Sequence, residues 1–294
     1  EQFLIQFAPE RWSAAERFGA FVGPPYRVDT HMRRGTGAVL AHPRKFDLLA
    51  ELANACLGEL QADQDQIARN GYSPALGGKR FAALAEAMIA ELYSTLDGVR
   101  QVIFSAFREV RGVQNGSTEK LFVRAHLNQY GPDFPEEIRT VLAQSYSSWF
   151  PRLRLLRSEN THGDIGSCHL DPASGNVRYF HDGIRDGARC LVIENMTAYL
   201  NATARHVSEL VSAVFDYLYR RLLPVEHETM CGVFRGRMYL RMVAAGPDLS
   251  SHSGRCMSIN WFTREPGYEC PRRADCGAFT RPMGEAEYKI RKPR

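Results

Sequence analysis

One apolar stripe constrains this chain more than any other feature. Phe81, Leu84, Met88, Leu92, Leu96, Val99, Ile103 and Phe107 recur at three- and four-residue intervals. That spacing predicts one long helix from Lys79 to about Val110, with a continuous face that another element must cover. Gly98 falls inside it and is expected to weaken or bend it. A partner of the same kind is predicted from Pro43 to about Ala68, where Phe46, Leu48, Leu49, Leu52, Cys56, Leu60 and Ile67 fall mostly at helical spacing. Pro43 suits a first turn there, and Asn70-Gly71 a stop. Shorter helices are expected from Pro9 to near Gly23, from Pro135 to Phe150 before Pro151, from Thr197 to Leu223, and from Pro224 to about Ala245. Extended pieces are expected at Leu121 to Leu127, and as a hairpin of Val177–Phe180 with Ala188–Ile193 across Asp182-Gly183. The tail from Gly246 reads as loop. The whole is a mainly α chain: a single helical domain over 1–294 with a small β element and a loop-rich C-terminal tail.

Composition narrows the function. Hydrophobic residues make 44% and charged residues 24% of the 294, the balance of a globular protein rather than a disordered one. No apolar run is long enough for a membrane span. The opening Glu1-Gln2-Phe3-Leu4 carries no secretory pattern, so a cytoplasmic protein is expected. The basic residues comprise 32 arginines and only five lysines, scattered among 33 acids for a formal charge of +4. Nothing in that distribution makes a nucleic-acid footprint, and neither nucleic acid nor membrane is an expected partner.

The cysteines carry more information. Seven is an odd number, which argues against a disulfide framework, and three of them fall within twenty-one residues near the C-terminus. Among these is His252-Ser253-Gly254-Arg255-Cys256, which brings an imidazole and a thiol within reach of each other. Two metal chemistries fit. Zinc takes a Cys₃His set, and His252, Cys256, Cys270 and Cys276 supply one as H-x3-C-x13-C-x5-C. Haem takes an axial imidazole, with the nearby thiol free to add to a vinyl group as a single thioether. The plain alternative is a loop histidine beside a small buried cysteine.

A bis-histidine haem needs a second imidazole. His227 opens an expected helical stripe through Met230, Cys231, Phe234 and Met238. His206 shares a face with Leu210, Val214 and Leu218. Each is equally readable as an ordinary first-turn or core histidine. His126 follows Phe122-Val123-Arg124-Ala125 in the expected extended segment and is a candidate acid/base. In the polar middle, Thr161-His162-Gly163-Asp164 and Cys168-His169-Leu170-Asp171 can line a pocket or a metal site. No Walker loop, H-E-x-x-H, G-x-S-x-G or G-x-G-x-x-G is present.

On the His252-x-x-x-Cys256 pattern with a histidine upstream, the chain resembles the haem-dependent tyrosine hydroxylases of bacterial natural-product pathways. The motif covers the last quarter of the chain; size and helical character match more generally. The resemblance implies haem iron held by His252 and an upstream histidine, His227 in preference to His206, with Cys256 as the thioether. It implies hydrogen peroxide as co-substrate and ortho-hydroxylation of the phenol ring of 3-methyl-L-tyrosine, giving 3-hydroxy-5-methyl-L-tyrosine for antibiotic biosynthesis. One axial ligand must then leave, and His252 is the candidate because Gly254 and Gly246-Pro247 make its segment pliant. His126 would accept a proton, and an arginine and a carboxylate would hold the amino-acid zwitterion. The alternative from another class is a helical binding or regulatory protein stapled by zinc through His252, Cys256, Cys270 and Cys276.

Overall fold

The structure is a computed structural model that describes residues 4–163, 165–259 and 266–280. The chain is mainly α. It divides into two compact units: one spans Arg27–Tyr217, and the other combines Glu1–Tyr26 with Leu218–Arg294. Among the described residues no helix is long and apolar enough to cross a membrane.

The larger unit is built on the predicted stripe. Helices α2 (Thr30–Ala55), α3 (Leu57–Asn70) and α4 (Leu76–Phe107) follow one another. α2 begins well before Pro43, because Asp29 caps it by accepting the Met32 N–H at 2.9 Å. Pro43 therefore lies inside the helix and not at its first turn. α2 and α4 pack along their lengths, burying Met32, Val39 and Phe46 against Leu96, Val99 and Ile103. Gly98 does not weaken α4; it is where the two helices touch. A Cβ there would stand 2.9 Å from the Gly35 carbonyl oxygen and 2.9 Å from a Val39 methyl, and a Cβ on Gly35 would meet the Gly98 carbonyl at 2.7 Å. Gly98→Leu is therefore expected to cost about 1–3 kcal/mol through overpacking, read as a lower midpoint in urea unfolding.

The same helix pair holds a polar contact. Glu91 on α4 is 8% exposed; it meets the His42 ring at 2.5 Å and accepts from the Lys45 ammonium. Burial pushes the Glu91 carboxyl up, but its hydrogen bonds to Lys45 and His42 outweigh that and hold it below its ordinary value of 4.5. A carboxyl depressed in the folded state adds stability above its ordinary value and loses it as pH falls. Urea unfolding from about pH 6 down to about pH 3.5 should show stability falling below pH 4.5, and Glu91→Gln should flatten that fall.

Three helices complete this part of the unit. Leu121 to Leu127, expected as extended, is helix α5 (Thr118–His126); Ser117 caps it by accepting the Lys120 N–H at 3.3 Å, and Glu119 sits in its first turn. α6 (Glu136–Tyr146) ends earlier than expected, and α7 (Phe150–His162) starts afresh with Pro151 in its first turn. The expected hairpin is present within a three-stranded sheet of β2 (Ser167–Leu170), β3 (Val177–Asp186) and β4 (Arg189–Ile193). Its turn falls at Gly187, φ +64°, and Asp182-Gly183 lies in a bulge within the ladder instead. Helix α8 (Met196–Arg220) matches its expected span, and the division between the units falls within it.

The smaller unit corrects the sequence reading most. The expected helix from Pro224 to Ala245 is a β-hairpin: β5 (Glu226–Phe234) and β6 (Arg237–Ala244). Arg235 and Gly236, at φ +49° and +73°, make the two-residue turn between them. Tyr239, Arg241 and Val243 are buried on alternate positions, the period of a strand. The sheet runs β1 (Leu4–Ile5), β5, β6, β7 (Arg255–Cys256). Helix α1 (Ala14–Phe21), closed by a Ser13–Glu16 capping box, brings Phe18 and Phe21 into the same core, where Phe21 packs on Phe7. The tail includes a short helix, α9 (Gly277–Thr280); its stretches 260–265 and 281–294 lie outside the described residues.

Candidate metal centre

The C-terminal cysteines meet on one wall. Cys231, Cys256, Cys270 and Cys276 line a cavity of about 50 Å³, with His252 and Arg241 on the same lining. Each arrives by a different route. Cys231 occupies the bulge in β5 between Met230 and Gly232, its sulfur 3.2 Å from the Tyr239 carbonyl. Cys256 lies on β7 opposite Arg241 of β6. Cys270 begins a turn that hydrogen-bonds Arg273 N–H back to its carbonyl, and Cys276 leads into α9, its carbonyl accepting from Phe279 at 2.9 Å. Among the described residues no group of three or more His, Cys, Asp or Glu side chains is arranged to hold a metal ion. What they share is the cavity wall and electrostatic range of one another.

The wall is thiol-rich and its cysteines are half-buried. Burial pushes the Cys231 and Cys256 thiols up to about 11, and raises Cys270 as well, so without a cation these thiols are protonated near neutrality. Arg241 is 2% exposed. One guanidinium nitrogen donates to the Ser251 carbonyl and the other to the Phe7 carbonyl at 3.2 Å, while its plane lies 4.3 Å from the Phe7 ring centre. Burial holds the guanidinium below its ordinary value, and the neighbouring Cys231, Cys276, Glu10 and Cys256 oppose that. Its Nε is buried and has no acceptor among the described residues.

His252 stands on the loop before β7. The Gly277 N–H donates to its Nδ1 at 3.4 Å. Gly254, two residues on, is at φ +78°, and a Cβ there would stand 2.0 Å from the Met242 carbonyl oxygen. Only glycine allows this approach of the loop to β6. Gly254→Ala is expected to displace the loop and destabilise the unit by at least about 1–2 kcal/mol, the cost of forcing a side chain into the left-handed region alone, visible as a lower thermal midpoint.

The other expected site residues lie elsewhere. His227 is on strand β5 rather than at the head of a helix, opposite Val243; its ring packs edge-on against Phe21 at 5.9 Å, and it is not on the cavity lining. The stripe through Met230, Cys231, Phe234 and Met238 disperses over the strands and turn of the hairpin. His206 belongs to the Arg27–Tyr217 unit, stacked on Trp149 at 5.9 Å and 3.5 Å from Glu209. His126 belongs to the same unit. It is exposed at the end of α5, with Ser147 Oγ 3.2 Å from its Nδ1 and the Tyr146 ring 4.8 Å away, rather than projecting from an extended segment. In the polar middle, His169 is on β2 and His181 is buried on β3; the His162 side chain and Asp164 lie outside the described residues. Sequence reasoning passed over Cys231 and Arg241. Both follow only from hairpin register, and the sole local signal was the Arg235-Gly236 turn between two alternating segments.

For the haem expected by resemblance, the wall offers the thiol, one imidazole and the Arg241, Arg272 and Arg273 guanidiniums, but no second imidazole among the described residues. No protein-family model matches the chain, and no curated protein or solved structure shows significant similarity to it.

Proposed function

We propose that this chain is a binding or regulatory protein whose smaller unit is stapled by a zinc-class divalent ion. The carrying observation is that His252, Cys256, Cys270 and Cys276, spread over twenty-five residues, come to one cavity wall. That unit has a four-stranded sheet with two strands of only two residues each, and a small core gains most from a cross-link of this kind.

A second reading is the haem-dependent, peroxide-using hydroxylation of 3-methyl-L-tyrosine. It is favoured by His252 and Cys256 sharing the wall with three guanidiniums, the groups that suit haem propionates. Haem would supply the oxidising chemistry, and His252, Cys256 and His227 are the residues that would hold it. Elemental analysis and an absorption spectrum of the purified full chain separate the two. About one zinc per chain and no Soret band supports the staple. A Soret band that survives acid–acetone extraction supports the hydroxylase and overturns the staple.

A further inference from the structure

Resting on the zinc reading, we infer that the metal is held by four thiolates, Cys231, Cys256, Cys270 and Cys276, and that His252 is not a ligand but supports the site from outside.

The first ground is His252 itself. A neutral imidazole carries one N–H and one lone pair. Its Nδ1 lone pair accepts the Gly277 N–H. The proton is then on Nε2, which leaves no lone pair for a cation. Gly277 directly follows Cys276, so the contact fastens the histidine loop to the segment that carries one of the sulfurs.

The second ground is Cys231. The bulge places it in β5 beside the stretch of β6 where Arg241 pairs with Cys256. Its sulfur and that of Cys256 are within electrostatic range of each other and of Cys270 and Cys276. A hairpin strand, an edge strand, a turn and a helix start thus contribute one sulfur each, the four donors a structural zinc site takes.

The third ground is charge. Four thiolates around a divalent cation leave a net charge of −2, which is costly in a partly buried site unless it is balanced. Arg241 is a buried cation on that wall, and its Nε has no acceptor among the described residues. A thiolate sulfur supplies one. Arg272 and Arg273 stand on the outer part of the lining. On uptake four S–H bonds break, four metal–sulfur bonds form and the four protons pass to solvent, with no change of oxidation state.

The test uses the full chain, stripped of metal and loaded with cobalt(II), alongside Cys231→Ser and His252→Ala. Alkylation followed by peptide mass spectrometry reads which thiols the metal shields. Four shielded thiols, a four-sulfur cobalt spectrum unchanged by His252→Ala, and loss of that spectrum in Cys231→Ser are expected. If Cys231 is alkylated at the rate of the metal-free chain while the other three are shielded, and His252→Ala shifts the cobalt bands, the Cys₃His set holds. The four-thiolate inference then fails and the zinc reading stands. If no thiol is shielded and no cobalt is retained, both fail. Should Cys231→Ser not fold, the shielding pattern of the unaltered chain decides alone.

Discussion

Cys256→Ser is expected to release the metal and open the smaller unit while leaving the larger one folded. In structural zinc sites the apparent binding free energy, about 10–16 kcal/mol, is largely folding free energy. Cys256 anchors the edge strand β7 against β6, and β7 is two residues long. So short a strand adds little without its sulfur bound. A ligand present at a hundred times its Kd stabilises the folded state by about 2.7 kcal/mol, so its loss should speed hydrogen exchange about a hundredfold in whatever it holds closed. The amides of β5 and β6 should show at least that increase, in Cys256→Ser and in the unaltered chain after chelation. The amides of α4 should not change. Cys56→Ser, in the larger unit, is the control and should leave both intact. Unchanged protection of β5 and β6 in the chelated chain would contradict the account.

The second large effect is expected in the larger unit. Phe122 on α5 is fully buried and lies face to face with Phe150 of α7, ring centres 3.8 Å apart and planes 9° apart. Tyr93 of α4 stacks on Phe150 at 6.2 Å, and Trp149 meets Phe122 edge-on at 6.4 Å. Truncation at Phe122 removes the ring that stacks on Phe150 and meets Trp149. Phe122→Ala should cost about 3–5 kcal/mol, the usual range for emptying a buried aromatic site. Against a total of about 5–15 kcal/mol, that should bring the urea midpoint down sharply. Phe122→Leu, which keeps most of the volume, should recover the larger part. A loss below about 1 kcal/mol for the alanine would mean that the stack contributes little.

The long helices were legible because burial decides them. Phe81 through Phe107 keep the helical period for the length of α4, and α2 packs along it as that pattern demands. What the period could not show was the partner's surface. Gly98 reads as a weak point until Gly35 of α2 is seen against it, and then both glycines are contact points. The hairpin of β5 and β6 was misread for a different reason. His227, Met230, Cys231, Phe234 and Met238 imitate a helical stripe, while the buried set is Tyr239, Arg241 and Val243 at period two. An arginine at a core position breaks the hydrophobic alternation that marks a strand, so the turn at Arg235-Gly236 was the only dependable sign. α5 was misread because a nine-residue helix shows little more than two turns, and its cap at Ser117 outweighs its β-favouring Phe122 and Val123. Of the site, His252, Cys256, Cys270 and Cys276 were legible as a cluster from spacing alone. Cys231 and Arg241 required the register.

The central claim is that the smaller unit is a thiolate zinc site. It is tested most directly by titrating the metal-stripped full chain with zinc in competition with a chromogenic chelator. One equivalent should be taken up with a Kd in the nanomolar range or tighter, which corresponds to about 12 kcal/mol or more. Failure of the full chain to withdraw one equivalent of zinc from the chelator would contradict it.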